Sequence, residues 1–407
     1  MKRIFALLLA LPCALSVCAQ RSMRDVSRGT FAPTAITGAR QQQDEEQKTP
    51  PRQRNTLTPD GQDVLVPVNV DGAIIYVPRG KTIVAPNNPQ PPQAERPASI
   101  HYTVVAGGGV RFTRGREMPA GARAWPREAL GLNNIAPELN GAGVNIALLD
   151  SGVSPNYELN GKVDVYDMTG AGNPSDTFGH GTAIAGILVG GSGETKFKSV
   201  APGARVKSYK ITYEENGETK TSSAHIKQAV ADILEYNKLR PANRIDIINL
   251  SYGLDDGPDK GVEDALSKAY QNGITIISGA GNDANAVRYP AAYGFVIATG
   301  AINRQKQLFA YSNYGPQLDF MAPGEDIFAL DNAGGYGWLE GGTSYSSAYI
   351  SGLAALVIQA WQNKYKAKPS PQQVYAVLKK ISAPLPSVPE GKQGLGLPDA
   401  SKIPAAV

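Results

Sequence analysis

Short apolar runs alternate with amphipathic stretches in the part of the chain that follows Trp125. Five of the runs are rich in β-branched residues and almost continuous in hydrophobicity, which predicts strands that are covered on both faces. These runs are residues 143–150, 204–212, 244–253, 273–282 and 295–302. Strands that alternate with helices indicate right-handed crossovers and a mostly parallel sheet, with functional groups at the carboxyl ends of its strands. We therefore predict an α/β fold.

Helical periodicity lies between and after these runs. Residues 225–240 carry one apolar stripe, Ile226, Ala229, Ile233 and Leu234. Residues 261–273 carry another, Val262, Leu266, Ala269 and Tyr270, and end at Gly273, which predicts a C-terminal cap. A long apolar run at residues 349–361 follows a hydroxyl-rich cluster and predicts a buried helix with Ser344 in its first turn.

The first 19 residues have a basic start, an apolar run and a small-residue exit, which is the pattern of a signal peptide. The run is too short to span a bilayer, and no later segment has the roughly 18 uninterrupted apolar residues of a membrane helix. We expect an exported protein, secreted, periplasmic or at the cell surface, without a transmembrane segment. Both cysteines, Cys13 and Cys18, lie in this peptide. An alternative is that Cys18 becomes a lipid-modified N-terminus.

Residues 20–121 have the composition of a leader. Residues 20–62 are polar and predict disorder, and two β-rich runs over about residues 63–85 predict a small hairpin. A proline-rich linker follows at residues 87–99, then one strand within residues 101–110 and turns from there to residue 126. We interpret residues 20–121 as a prosegment-like region that is removed between residues 107 and 125. Residues 122–407 then form one domain.

Composition narrows the class of protein further. With 42% hydrophobic and 19% charged residues, the chain is globular and can bury one large core. Its formal charge is +4, and about +2 without Lys2 and Arg3, so with no basic run we expect no nucleic-acid partner. Loss of the signal peptide would remove both thiols, which excludes disulfides and cysteine nucleophiles.

Four short motifs supply polar groups at strand or helix ends. Asp150 and Asn282 each end an apolar strand, His180 lies between two glycines before a small-residue helix, and Ser344 starts a helix. Each has a plainer interpretation as a turn or cap residue. Together, however, they are an orienting acid, an oxyanion donor, a general base and a hydroxyl nucleophile, which is the set that acyl transfer requires.

The motifs, in this order, resemble the subtilisin-like serine proteases, the subtilases. The matching stretches are ALLDSGV (147–153), GHGTAIAG (179–186), VAPGARV (200–206), INLSYG (248–253), SGAGN (278–282), YPAAY (289–293), MAPG (321–324) and GTSYSSA (342–348). The resemblance covers roughly 70% of the chain. It implies a three-layer subtilisin-like fold over residues 122–407 and a secreted serine endopeptidase that works through an acyl-enzyme.

The resemblance also implies residue roles. Ser344 would be the nucleophile, His180 the general base and Asp150 the group that orients the imidazole. Asn282 and the Ser344 amide would form the oxyanion hole. Two segments would bind the substrate backbone as an added strand and wall its pocket, namely Ser251, Tyr252, Gly253, Ser278, Gly279 and Ala280.

Arg288 precedes the "YP" of YPAAY, where relatives have the floor of the primary specificity pocket. A cation there predicts a preference for Glu or Asp at the cleaved position. Residues 282–288 form a shorter segment than in many subtilases, so the alternative is a solvated arginine on a displaced loop.

The chain departs from the family pattern at two places. Ala183 and Ile184 follow the "HGT" of the histidine motif, and Tyr345 and Ala348 occur in the serine motif. None of these is a proposed catalytic side chain. Tyr345 removes the oxidisable methionine that many relatives have there.

The expected partners are polypeptide substrates, and we expect a monomer without a cofactor or assigned metal site. Calcium binding stays open: Asp164, Asp167 and Asp176 are present without a spaced oxygen-ligand loop, and surface pairing or loop solvation accounts for them. Two alternatives remain. One is a catalytically silent subtilase fold that acts as a surface binding or assembly module, and the other is a lipid-anchored maturation protease for an exported partner.

Overall fold

The structure is a computed structural model that describes residues 65–70, 73–78, 100–105, 109–114, 121–191, 197–215, 218–254 and 257–407. For the four strands before residue 115 it describes the backbone. The predicted signal peptide with Cys18, the polar segment at residues 20–62 and the proline-rich linker at residues 87–99 lie outside the described residues.

The helices and strands of the described residues are as follows. The strands are β1 (Leu65–Val70), β2 (Ala73–Pro78), β3 (Ile100–Val105), β4 (Gly109–Arg114), β5 (Asn145–Asp150), β6 (Val163–Asp167), β7 (Arg205–Lys210), β8 (Thr212–Glu215), β9 (Glu218–Thr221), β10 (Ile247–Leu250), β11 (Thr275–Gly279), β12 (Ile297–Ile302), β13 (Phe320–Pro323), β14 (Glu325–Leu330), β15 (Tyr336–Gly341), β16 (Ser382–Ala383) and β17 (Leu397–Pro398). The helices are α1 (Trp125–Ala129), α2 (His180–Val189), α3 (Ser223–Leu239), α4 (Lys260–Gln271), α5 (Thr343–Tyr365), α6 (Pro371–Ile381) and α7 (Ile403–Ala406).

A seven-stranded parallel sheet forms the centre of the domain, in the order β13-β12-β11-β10-β5-β7-β6. The chain builds outward from β5 in both directions, towards β7 and β6 on one side and towards β10 to β13 on the other. The strand order therefore reverses between β5 and β10, and in open α/β sheets ligands bind beside such a reversal, outside the carboxyl ends of the strands. The predicted α/β class is confirmed.

Helices cover both faces of this sheet and make it the middle of three layers. Ile146 and Leu148 of β5 pack into the core shared with α2 and α5. The residues between and after them, Ala147 and Leu149, pack into the core shared with α3 and α4. Because successive side chains of a strand point to opposite faces, an uninterrupted apolar run is what a strand between two helical layers requires.

The predicted helices lie close to their expected positions. In α3 the stripe residues Ile226, Ala229 and Ile233 are buried, whereas Leu234 is half-buried. The stripe of α4 is buried throughout, and Gly273 follows that helix with a positive φ of 80°. None of the helices in the described ranges is long and apolar enough to cross a membrane.

A second sheet, in the order β14-β15-β3-β4, joins the leader to the domain. β3 pairs in parallel with β15, with Ile100 opposite Gly337, and pairs antiparallel with β4. The prediction of turns after residue 107 was therefore wrong for residues 109–114. There Val110 and Phe112 alternate with polar residues, the period-two pattern of a strand, and the paired β3 supplies its hydrogen bonds. β1 and β2 pair antiparallel within residues 63–85.

Candidate active site

The four motif residues occupy the ends of elements that surround the reversal in strand order. Asp150 is the last residue of β5, and His180 is the first residue of α2. Ser344 is the second residue of α5, and Asn282 lies three residues beyond β11. Parallel strands end at one edge of the sheet, so residues far apart in sequence come together there.

Asp150 and His180 form a buried hydrogen-bonded pair. Asp150 Oδ1 lies 2.7 Å from His180 Nδ1, and the two residues are 0% and 5% exposed. The same oxygen accepts a hydrogen bond from the Ser151 backbone N–H at 2.8 Å. Burial lowers the pKa of His180, but the charge and hydrogen bond of Asp150, together with the charge of Asp176, outweigh burial, so that the pKa lies above its usual value of 6.5. The contact also fixes the tautomer, because Nδ1 must carry the proton that faces a carboxylate.

Ser344 directly precedes Tyr345, whose ring contacts the imidazole. The hydroxyl of Ser344 donates to the Ser251 carbonyl at 3.2 Å, and Ser344 is 5% exposed. Tyr252 follows Ser251, and Tyr345 follows Ser344. The centroids of their rings lie 5.7 and 5.8 Å, respectively, from that of the His180 ring. Within the described ranges, Ser344 and His180 are not hydrogen-bonded to each other.

The two tyrosines close the pocket around the imidazole. Tyr345 is fully buried, and burial, with the nearby Asp150 charge, raises its pKa. Burial likewise raises the pKa of Tyr252, with contributions from the charges of Asp150 and Asp176. Both phenols are therefore neutral near neutral pH, and they shield the Asp150–His180 contact from water.

Asn282 is fixed by the helix that carries the serine. Its Oδ1 accepts a hydrogen bond from the Thr343 backbone N–H at 2.8 Å, and Thr343 Oγ1 in turn accepts from the Gly281 N–H at 3.0 Å. The Thr343 N–H identifies the side-chain atom of Asn282 that faces it as the oxygen, so Nδ2 faces away from Thr343. Nδ2 has no hydrogen-bond partner among the residues that the structure describes.

The predicted substrate-binding residues differ in accessibility. Ser251 and Tyr252 are half-buried and Gly253 is exposed, in the segment just after β10. Ser278 and Ala280 are fully buried, and Gly279 between them is half-buried. Both backbone groups of Ala280 are used internally, by the Thr299 carbonyl at 2.8 Å and by the Arg288 N–H at 2.9 Å. Of these two segments, Gly253 and Gly279 are therefore more accessible to solvent than Ser278 and Ala280.

Arg288 lies between these two segments. Its Cδ is 3.6 Å from where a Cβ on Gly253 would be and 3.3 Å from the same position on Gly281. The guanidinium pairs with Asp283 at 2.9 Å, and the side chain is 44% exposed. The arginine thus packs against both glycines with its charged end at the surface.

The region from residue 141 to residue 396 matches a protein-family model described as "Subtilase family". The chain belongs to the subtilase family. It is 32% identical over 223 residues to the minor extracellular protease Epr of Bacillus subtilis (strain 168), and 30% identical over 229 residues to subtilisin BL of Lederbergia lenta. These matches cover 54% and 55% of this chain, but 33% of Epr and 81% of subtilisin BL.

A solved structure, that of the prenylagaramide maturation protease PagA, is similar to this subtilase. The TM-score is 0.55 at 26% identity, and the match covers 71% of this chain and 98% of the other. The expected subtilisin-like arrangement of a parallel sheet between helices is thereby confirmed.

Three aspartates outside the motifs were expected to be paired at the surface or solvated. Asp164 pairs with Lys207 at 2.7 Å, and Asp167 accepts hydrogen bonds from the loop that follows it. Asp176 is different in this subtilase, because it is 3% exposed and bonded within the site. The sequence signal was an aspartate four residues before His180. Within the described ranges, no three acidic, histidine or cysteine side chains cluster so as to hold a metal ion.

Proposed function

We propose that this subtilase is an exported serine endopeptidase that hydrolyses peptide bonds of polypeptide substrates through an acyl-enzyme. The observation that carries the proposal is the buried contact of 2.7 Å between His180 and Asp150, beside the first turn of the helix that carries Ser344. Base, orienting acid and nucleophile are the combination that the triad mechanism uses.

In the first step Ser344 Oγ turns from the Ser251 carbonyl towards His180 Nε2, which takes its proton while Oγ attacks the substrate carbonyl carbon. A tetrahedral intermediate forms. It collapses as the imidazolium protonates the leaving amine, which leaves an ester on Ser344. A water molecule then attacks the ester, with His180 as general base once more, and the serine is released.

Asp150 supports each transfer without losing its charge to the reaction. It holds the tautomer in which Nδ1 carries a proton and Nε2 is free to accept one. When the imidazolium forms, a buried carboxylate at 2.7 Å stabilises it in surroundings where water is scarce. This is why the acid must be buried as well as close.

The oxyanion of the intermediate would accept hydrogen bonds from Asn282 Nδ2 and the Ser344 backbone N–H. Among the described residues the Ser344 amide has no hydrogen-bond partner, and it lies in the first turn of α5 at the positive end of the helix dipole. Donors that are already oriented before the reaction need no reorganisation when negative charge develops. The contact with Thr343 supports such preorganisation for Asn282.

Substrate would bind in an extended conformation along the residues after β10 and those at the end of β11, as an added strand. The Arg288 side chain packs against both Gly253 and Gly281, and its charged end at the surface would face the substrate side chain at the cleaved position. A preference for Glu or Asp there is the specificity that this cation supports.

A fluorophosphonate probe tests the proposal, because it labels a serine only where a base activates it. We expect labelling of the wild type and none of Ser344→Ala. Ser346→Ala is the matched control from the same helix turn, since Ser346 Oγ donates to the Ala322 and Pro323 carbonyls in the core. A wild type that is folded but unlabelled would instead favour the silent binding or assembly module.

Maturation of one exported partner is a second candidate, because a structural neighbour is described as a maturation protease. It differs from general proteolysis in the range of substrates. Mapping of cleavage sites in the proteome, with wild type beside Ser344→Ala, separates them: one cleaved partner supports maturation and many unrelated sites support general proteolysis.

We further propose that the leader is removed between residues 107 and 125 and that the product is a monomer outside the cytoplasm, with lipid attachment at Cys18 as the alternative. N-terminal sequencing of the exported protein tests the cleavage site. An intact chain beginning at Gln20 with full activity would contradict it.

A further inference from the structure

The carboxylate of Asp176 is buried beneath the start of α2 and accepts five hydrogen bonds. Its Oδ1 accepts from Ser151 Oγ at 2.8 Å, Phe178 N at 3.0 Å and Gly179 N at 2.7 Å. Its Oδ2 accepts from Thr182 N at 2.8 Å and Thr182 Oγ1 at 2.7 Å. Burial raises the pKa of Asp176 above its usual value, and the hydrogen bonds oppose this, because every partner donates and so favours the ionised carboxylate, which only accepts.

These donors belong to the two segments that carry the Asp150–His180 pair. Ser151 follows Asp150 directly, and Gly179 and Thr182 enclose His180 in the first turn of α2. A buried carboxylate at the N-terminus of a helix is also favoured by the helix dipole. One side chain therefore ties the end of β5 to the start of α2.

Two further contacts extend this connection. Ser151 Oγ, which donates to Asp176, accepts from the Gly181 N–H at 2.9 Å. The backbone carbonyl of Asp176 accepts from Ser154 Oγ at 2.9 Å and from Asn332 Nδ2 at 3.0 Å, in the turn between β14 and β15. The aspartate is thus held from both sides and has little freedom to move.

Asp176 also acts on His180 through its charge. The ionisable groups that face the imidazole are Asp150 at the end of β5, Asp176 before α2, Tyr252 after β10 and Tyr345 in α5. Burial is the largest single influence and lowers the pKa of His180, but the charge and hydrogen bond of Asp150 together with the charge of Asp176 outweigh it and raise the pKa. The two phenols are neutral, so Asp176 is the second negative charge beside the base.

We propose that Asp176 is a positioning residue of the Asp150–His180 pair. Its carboxylate holds the start of α2 against the end of β5, so that His180 Nδ1 stays on Asp150, and its charge stabilises the imidazolium that forms when Ser344 loses its proton. The inference deepens the proposed function and rests on it. A residue that only supported the fold would leave the pH dependence of activity unchanged.

The test is Asp176→Asn in the full chain, with kcat and KM measured on one fluorogenic peptide that the wild type cleaves, from about pH 5 to about pH 9. We expect kcat to fall roughly 10- to 100-fold with KM within about twofold, because a shifted base affects the chemical step. The acid limb of the kcat/KM profile should move to lower pH, because an imidazolium with one anion fewer loses its proton more readily.

Asp167→Asn is the matched control. Asp167 also accepts from a threonine two residues on, Thr169 N at 2.9 Å and Oγ1 at 2.6 Å, and from Gly172 N at 2.6 Å, but on a loop after β6. It should retain the wild-type kcat and acid limb. An Asp176→Asn enzyme with wild-type kcat, or with an unmoved acid limb, overturns the inference. A wild type without Ser344-dependent cleavage contradicts the proposed function instead.

Thr182→Val covers the case in which Asp176→Asn does not fold, as judged by circular dichroism. Valine has the shape of threonine and removes the hydroxyl donor, while the charge of Asp176 stays. We expect kcat to fall several-fold with no shift of the acid limb. If a folded Thr182→Val enzyme keeps the wild-type kcat, the positioning role is wrong.

Discussion

Asn282 Oδ1 accepts the backbone N–H of Thr343 at 2.8 Å, one residue before Ser344. The contact joins the segment after β11 to the first turn of α5, so it positions the Asn282 amide relative to the helix that carries the serine. Because the oxygen is committed to this bond, the amide nitrogen is the group that can face a substrate. The side-chain oxygen of Asn282 therefore has a structural role and the side-chain nitrogen a chemical one, and a substitution can separate the two roles.

Asn282→Asp makes this separation. An aspartate can still accept from Thr343 but has no N–H to give to an oxyanion. We expect kcat to fall about 10²- to 10³-fold, or about 2.7 to 4 kcal/mol of transition-state stabilisation, with little change in KM. Steady-state kinetics on a fluorogenic peptide measure this. If Asn282→Asp keeps nearly full activity and only Asn282→Ala loses it, then Asn282 acts only through its contact with Thr343 and is not an oxyanion donor.

The raised pKa of His180 predicts the pH dependence of the wild type. The base must be neutral to accept the serine proton, so activity falls as the pH drops through that pKa. Because the charges of Asp150 and Asp176 and the hydrogen bond to Asp150 together outweigh the effect of burial, the acid midpoint of kcat/KM should lie above 6.5. A midpoint below 6.5 in the wild type would contradict the direction of the shift.

Asp150→Asn should show the other consequence of this contact. An amide in place of the carboxylate favours the wrong tautomer and leaves the imidazolium without its partner, so we expect kcat to fall about 10⁴-fold and the acid midpoint to move down. Asp264→Asn, on the exposed side of α4, is the control and should behave as wild type. Equal activity in the two variants would rule out an orienting role for Asp150.

Tyr345 predicts resistance to oxidation. This residue packs beside His180 and has no sulfur, and Met321 is fully buried elsewhere in the core. We expect the wild type to keep most of its activity in dilute peroxide and Tyr345→Met to lose it progressively, since a sulfoxide beside the base is polar and bulky. Residual activity against time of exposure measures this, and rapid loss in the wild type would count against the prediction.

Arg288 and its partner Asp283 predict the specificity at the cleaved position. A panel of fluorogenic peptides should show Glu and Asp cleaved best, and Arg288→Ala should lower kcat/KM for these peptides by about tenfold or more, as expected for a lost hydrogen bond between charged groups. Asp283→Asn should raise it, because Asp283 competes for the guanidinium.

The matched control for the arginine is Arg205→Ala, an exposed arginine at the start of β7. It should leave the profile over the panel unchanged. Acidic peptides that are cleaved no better than Leu or Phe peptides by the wild type would end the specificity hypothesis, without affecting the catalytic one.

The central strands and two amphipathic helices were predictable because the environment of each face stays the same along the whole element. A strand such as β5 packs against helices on both faces and has to be apolar at every position, from Ile146 to Leu149. α4 faces the core along one stripe and solvent elsewhere, which is the period that the sequence displays.

The strands that escaped prediction have mixed neighbours. β4, β14 and β15 belong to the outer sheet, where each strand has its own combination of core, solvent and partner strand. Their apolar runs are too short for the sequence alone to distinguish a strand from a turn. The pairing of β3 with β15 joins segments more than two hundred residues apart, and no local pattern in the chain contains such a pairing.

The sequence by itself determined the alternation of strands and helices and the identity of Asp150, His180, Asn282 and Ser344 as candidates, because hydrophobic period and motif spacing are local properties. Only the tertiary structure shows that the Asp176 carboxylate is bonded to the segments that carry Asp150 and His180. It also shows that Arg288 packs between Gly253 and Gly281. Burial and hydrogen-bond partners depend on segments brought together from distant parts of the chain. A carboxylate on a polar loop has the same local sequence whether water or five protein donors surround it.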